Sequence, residues 1–245
     1  MKLNCYFEIM VDIIVKYNGT INEIIGDALL VIFGAPQEMP DRAQRAVACA
    51  IDMQNAMAAV NGANRSQGLP DLEMGIGLNE AEVVVGNIGS SRRSKYTVVG
   101  SGVNMASRIE SYTVGGQILI SDSVRKAAGN ILRIDRQQEV SPKGAEAPIK
   151  IYEVGGISGS YNLSLEREDT AMVDLEYRIP LEHTTLGGKH VGMDKHPGFM
   201  VRLSEKEAVV ESTKTLALLT NIKMNLTDAA QALVAKGFYG KVIIK

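Results

Sequence analysis

Residues 21–36 read INEIIGDALLVIFGAP, two apolar, β-branched runs split by a single Gly-Asp pair. Runs of this composition joined by two turn-forming residues predict a β-hairpin, with strands over 20–25 and 28–33 and Gly26-Asp27 as the turn. An acidic side chain is thereby set at a strand junction. Upstream, Tyr6, Met10, Ile13, Ile14 and Tyr17 recur at spacings of three and four, which predicts an amphipathic helix over 3–17 that Asn18-Gly19 stops. Downstream, Pro40-Asp41 caps an Ala-rich helix over 42–60 with an apolar face through Ala46, Ala50, Met53 and Met57. These methionines read as core filler.

A polar, Gly- and Pro-containing stretch over 61–70 predicts a loop, followed by strands over 72–78 and 83–88 and a polar turn over 89–94. A short strand over 95–99, a helix over 102–112, a strand over 117–120, a helix over 122–128 capped by Ser121 or Asp122, and a strand over 149–154 complete the first unit. Hairpins mixed with helices indicate an α+β fold rather than a βαβ repeat. At 155–160, GGISGS reads as the start of a flexible linker, and the charged stretch 166–169 follows it. The expected organisation is a first domain over 1–155, a linker over 156–172, and a small all-β barrel or sandwich over 173–245.

Composition excludes several classes. The chain has 245 residues, 45% of them hydrophobic, which suits one or two domains with ordinary cores. Lys plus Arg number 26 against 28 Asp plus Glu, and no basic run is interleaved with aromatics, so nucleic acid and anionic membrane surfaces are not expected partners. No apolar stretch approaches the roughly 18 residues that cross a bilayer, and the N-terminus has no secretory pattern. Cys5 and Cys49 are far apart in helix-like segments, so both read as free thiols in a reducing cytoplasm.

Two further stretches carry chemistry: residues 82–90, EVVVGNIGS, and residues 96–110, YTVVGSGVNMASRIE. Asn104 and Arg108 are four apart on the expected helix, so both project from one face toward a common ligand. Together with the hairpin, these strings resemble the catalytic domain of class III nucleotidyl cyclases, the adenylate and guanylate cyclase family, from residue 3 to about 154. The resemblance implies a ferredoxin-like-derived domain with a mixed sheet and helices on one face. It also implies a reaction in which a ribose 3′-hydroxyl attacks the α-phosphate of its own ATP or GTP and releases pyrophosphate, with Mg²⁺ or Mn²⁺ as cofactor.

Residue by residue, the resemblance makes Asp27 a metal-binding aspartate and gives Asn104 the ribose and Arg108 the phosphoryl charge. Lys143, in SPKG, matches a lysine on the terminal phosphates. Glu23 and Thr97 match the two positions that read the base. A glutamate accepts from the N1–H and N2–H of guanine, whereas a threonine at the second position is usual in bacterial adenylate cyclases, so the base stays open. The family's first metal aspartate lies upstream of the hairpin, and this sequence starts after it; residues 79–81, NEA, also stand where a Thr-Gly turn is usual. The chain therefore reads as a fragment, a mis-started product or a degenerate member.

Family members build their sites between two protomers, so a homodimer, or a heterodimer with another cyclase chain, is expected. The alternative is a non-catalytic regulatory subunit that keeps the fold without turnover. The C-terminal stretch weakly resembles a PilZ-like barrel, of whose ligand turn only Ser204 survives, between Arg202 and Glu207. His183, His190 and His196, near Asp194, lack the spacing of a metal pair and read as surface loop residues.

Overall fold

The computed structural model describes residues 4–90, 92–141, 147–166, 171–187, 190–192, 194–204, 207–227 and 238–243. The chain divides into two compact units, residues 1–167 and 168–245.

The first unit opens with α1 (Asn4–Lys16), whose Met10 and Ile14 are fully buried. Its end is a Schellman motif: Asn18 takes φ +58°, and the amides of Asn18 and Gly19 return to the carbonyls of Val15 and Ile14. The chain then enters β1 (Thr20–Ile25), paired antiparallel with β2 (Ala28–Ile32) in the expected hairpin. Gly26 adopts φ +67° in the turn, a conformation that a Cβ would strain. Helix α2 (Arg42–Ser66) runs six residues past its expected end, through part of the stretch read as loop. Asn64 is buried there, and the Asn61 amide bonds both backbone groups of Leu72, so these asparagines serve helix packing rather than a turn. Asp41 sits at the N-cap, but its carboxylate turns to Arg45 and to the Tyr161 hydroxyl instead of capping.

The central mixed sheet has the order β3 (Ile76–Leu78), β6 (Ile118–Ser121), β8 (Ile149–Ile157), β7 (Leu132–Val140), with β9 (Leu163–Ser164) beside β8. Only β3 and β6 are parallel. Between them in sequence lie β4 (Val84–Ser90) and β5 (Arg93–Val99), a separate antiparallel hairpin, and α3 (Ser101–Glu110). A short α4 (Asp122–Ala128) follows β6, and its cap Ser121 accepts from the Val124 amide. Strand β7 was not anticipated from the sequence, and β8 continues through Gly155-Gly156, where a linker was expected to begin.

Ile118 and Ile120 join a core with α1, α2 and Val124 of α4, but all four residues of β6 are buried, so its other face also needs cover. α3 supplies it: a Cβ built on Gly77 of β3 would fall 2.6 Å from Glu110 Cα and 2.8 Å from Ala106 O, so helix and strand backbones touch.

The second unit is an antiparallel sheet in the order β13 (Ala208–Ser212), β12 (His196–Leu203), β10 (Val173–Gly187), β14 (Asn221–Leu226), β15 (Phe238–Lys241), with β11 (His190–Val191) against β10. One face gathers Leu181, Met200, Ile222 and Met224. His183 is not a surface loop residue. It lies in β10 with 2% of its surface exposed, opposite His196, and its Nε2 is 2.6 Å from Ser212 Oγ. Inward alternation along β10 after Leu181 dictates this position. Asp194 is exposed, and the side chain of His190 lies outside the described residues. Ser204 and Glu207 bond to each other through backbone and hydroxyl groups.

Candidate active site

Four elements position the residues singled out in the sequence: β1, its turn with β2, β5 and α3. Asp27 is exposed at the hairpin turn. Its charge reaches back to α1, where burial first and Asp27 second push the Tyr6 phenol above its ordinary value. Among the described residues Asp27 has no ion-pair partner, and no three His, Cys, Asp or Glu side chains come together as a metal cluster.

Glu23 and Thr97 are brought to one place, and neither is bare. Lys95 Nζ lies 2.7 Å from Glu23 Oε1, and Asn22 Nδ2 donates to Thr97 Oγ1 at 3.2 Å. The cause is a β-bulge. In the β1–β2 register Ile21 faces Val31 and Glu23 faces Leu30, which leaves Asn22 as the extra residue. Successive strand residues normally point to opposite faces, but a bulge re-aims a side chain. Asn22 and Glu23 therefore both reach β5, where Lys95 and Thr97 are two apart and share a face. The sequence reading missed Asn22 and Lys95; the period-two relation of Lys95 to Thr97 was the available signal.

From Thr97 the chain reaches α3 within four residues. Gly100 makes the corner with φ +154°, and a Cβ there would press on Val83. At the next turn Gly102 is packed so closely that its Cβ would meet the Cβ of Ala81, while Asn79 Nδ2 donates to the Gly102 carbonyl at 3.0 Å. The unusual 79–81 segment thus braces the start of α3, and Glu80 is tied to Arg42 of α2 at 2.5 Å. On α3, Asn104 is exposed and Arg108 is half-buried, one turn apart. Among the described residues no carboxylate pairs with Arg108. Lys143 lies outside the described residues.

A mixed α+β domain with a polar constellation on β1 and β5 and an Asn/Arg pair on the helix that follows is the arrangement of a nucleotidyl cyclase domain. Residues 1–156 match the family described as the adenylate and guanylate cyclase catalytic domain, and the chain belongs to that family. It is 30% identical over 162 residues to adenylate cyclase 1 of Rhizobium meliloti (strain 1021), a match that covers 65% of this chain and 24% of that protein. The chain thus spans about a quarter of the length of the curated relatives it matches. Among solved structures, the guanylyl cyclase Cya2 superposes with a TM-score of 0.66 at 52% identity, covering 67% of this chain and 84% of that one. The adenylyl cyclase CyaB from P. aeruginosa gives 0.61 at 33% identity, covering 66% and 84%. The family match ends before the second unit. Among the described residues no helix is long and apolar enough to cross a membrane.

Proposed function

We propose that this chain is the catalytic unit of a nucleotide cyclase that converts ATP or GTP into the 3′,5′-cyclic nucleotide and pyrophosphate in intracellular signalling. The observation that carries the reading is the sequence of polar groups from β5 into α3: Thr97 near Glu23, then Asn104 and Arg108 one turn apart, with no carboxylate paired to Arg108 among the described residues. The likeness to guanylyl and adenylyl cyclase structures supports it.

The chemistry asks for few parts. The ribose 3′-hydroxyl gives up its proton as its oxygen bonds to the α-phosphorus, and the bond from that phosphorus to the bridging oxygen breaks to release pyrophosphate. Asn104 holds the ribose so that the hydroxyl faces the phosphorus. Arg108 donates to the phosphoryl oxygens, where negative charge builds in the transition state. Lys143 takes the terminal phosphates. Asp27 offers a hard carboxylate on an exposed turn and would hold a Mg²⁺ or Mn²⁺ ion there. Such an ion, when bound, neutralises phosphate charge and acidifies the attacking hydroxyl.

A homodimer, or a heterodimer with a second cyclase chain, completes the site in this reading. Exposed apolar side chains on the two hairpins, Ile24, Ile25, Val84 and Val99, favour such an assembly. The second reading, a regulatory subunit without turnover, draws on Asp27 belonging to no group of three His, Cys, Asp or Glu side chains among the described residues. Incubation of the purified chain with Mn²⁺ and ATP or GTP, read by mass spectrometry, separates the two. Cyclic product that disappears in Asp27→Ala and in Arg108→Ala is the expected result. A folded chain that forms no product moves the assignment to the regulatory subunit, and sedimentation as a monomer at high concentration removes the dimer.

A further inference from the structure

We propose that Ser212 and His183 form a nucleophile and general-base dyad in the second unit, a separate reactive site that takes acyl groups from small activated esters. The pair lies beyond residue 156, where the family match ends, so the inference stands apart from the cyclase reading.

Three adjacent strands build it. In the order β13, β12, β10, neighbouring strands are about 4.8 Å apart, so side chains on β10 and β13 are separated by the whole width of β12. Gly198 of β12 stands in a row between Leu181 of β10 and Ser212 of β13. With no side chain there, the ring of His183, two residues along β10 from Leu181, crosses over β12, and its Nε2 comes within 2.6 Å of Ser212 Oγ. That is the contact a hydroxyl nucleophile makes with its general base. His183 is buried, whereas Ser212 is exposed on an edge strand. The base is thus fixed within the sheet while the hydroxyl meets solvent, where a small ester can approach it.

The hydroxyl is also aimed. The Lys214 amide donates to Ser212 Oγ at 3.1 Å, which occupies one lone pair and leaves the hydroxyl's own proton for Nε2. His196, whose ring centroid is 5.6 Å from that of His183, accepts from Lys214 Nζ at 2.9 Å. Burial, then His196 and Lys214, hold the His183 imidazole below its ordinary value, so the base is unprotonated at neutral pH. As Oγ bonds to the acyl carbon, its proton passes to Nε2, and the leaving oxygen takes that proton and departs as an alcohol or phenol. Water then attacks the acyl-serine and gives its proton to Nε2; Ser212 Oγ recovers it as the carboxylic acid leaves. His183 Nδ1 is buried without a partner, so among the described residues no carboxylate orients the ring as it does in a triad. Slow acylation rather than fast turnover is the expected behaviour.

The full chain is treated at neutral pH with a fluorophosphonate, which phosphonylates activated serines, and separately with p-nitrophenyl acetate, and modified peptides are quantified by mass spectrometry. Ser66 and Ser111, exposed serines whose hydroxyls donate to backbone carbonyls, are internal references. A positioned base contributes about 10²–10⁴-fold, and without an orienting third group the lower end applies, so Ser212 is expected to react about 100-fold faster than either reference. His183→Gln is expected to remove that advantage, and His196→Gln, which leaves the Ser212 contact in place, to retain it. Because His183→Gln alters a buried position, the unvaried chain is also labelled in denaturing urea, where the advantage of Ser212 is expected to vanish. A native chain in which Ser212 reacts no faster than Ser66 and Ser111, or no faster than it does in urea, overturns the dyad. So does undiminished labelling in a folded His183→Gln chain.

Discussion

Replacing Gly77 by Ala tests whether the sheet directly positions α3. The added methyl would lie 2.6 Å from Glu110 Cα and 2.8 Å from Ala106 O, both backbone atoms of α3, so no side chain can swing away to admit it. Opening the contact to an ordinary 3.4 Å or more displaces α3 by about 1 Å. Overpacking of this kind costs about 1–3 kcal/mol, and an obstacle made of backbone points to the upper half of that range. For a chain of this size, about 2–3 kcal/mol lowers Tm by roughly 5–10 °C. Arg108 sits two residues before Glu110, and a shift of about 1 Å in a positioning group costs on the order of 10²-fold in turnover. Gly62→Ala is the matched control: the site is inside α2, nothing lies within 4 Å of the new methyl, and helix propensity alone predicts a gain of about 0.5–1 kcal/mol with unchanged activity. Calorimetric Tm and cyclic nucleotide formation, or 3′-deoxy nucleotide binding, are read on both variants. A Gly77→Ala chain that melts and turns over like the unvaried protein refutes the close contact and the positioning argument built on it.

Burial holds the His183 imidazole below its ordinary value, with His196 and Lys214 adding to the shift. Because the folded group resists protonation, its contribution is full above about pH 6.5 and declines as pH falls below that value toward the lowered folded pKa. Hydrogen-exchange protection factors, which normalise for the base-catalysed intrinsic rate, are expected to fall in β10 and β12 as pH drops from 7.5 to 5.5, and to lose that dependence in His183→Leu. The Cys49 thiol is buried and pushed up to about 12, so iodoacetamide at pH 8 is expected to label the partly exposed Cys5 and spare Cys49 until the chain unfolds. Labelling of Cys49 in the native chain contradicts its burial. Tyr161→Phe removes the hydroxyl bond to Asp41 at 3.2 Å and is expected to cost about 0.5–1.5 kcal/mol by urea denaturation. An unchanged midpoint means that the Tyr161–Asp41 bond adds nothing to stability.

Local chemistry made the hairpin readable, since Gly26-Asp27 between β-branched runs has one good solution, and so did α1, whose apolar period and Asn18-Gly19 stop agree. What failed depended on partners distant in sequence. Gly155-Gly156 has the composition of a linker, yet the side chains of Arg133 and Asp135 lie across Gly155, where any Cβ would collide with them. The glycine is there for close approach. Strand β7 hides because its polar residues alternate outward and its register is interrupted around Ile134. His183 reads as a loop residue until β12 sets His196 opposite it. Glu23 and Thr97 were identifiable as candidates through motif resemblance, but the partners that decide their use, Lys95 and Asn22, come from hairpins some seventy residues apart.

That separation bears on how the site works as a unit. Lys95 and Thr97 on β5, the Gly100 corner, and Asn104 and Arg108 on α3 form one continuous segment, which Asn79 and Ala81 brace at Gly102 and which Gly77 holds against β3. A ligand held on β5 therefore bears on the same strand that leads into α3, with one glycine between the two elements. In the function proposed above, contacts at Thr97 and placement of Arg108 share this path, so a poorly seated ligand costs orientation at Arg108 as well as affinity. The kinetic signature of that coupling is a fall in kcat rather than a rise in KM alone, and Thr97→Val, which leaves α3 intact, is expected to show it; a change confined to KM refutes the coupling.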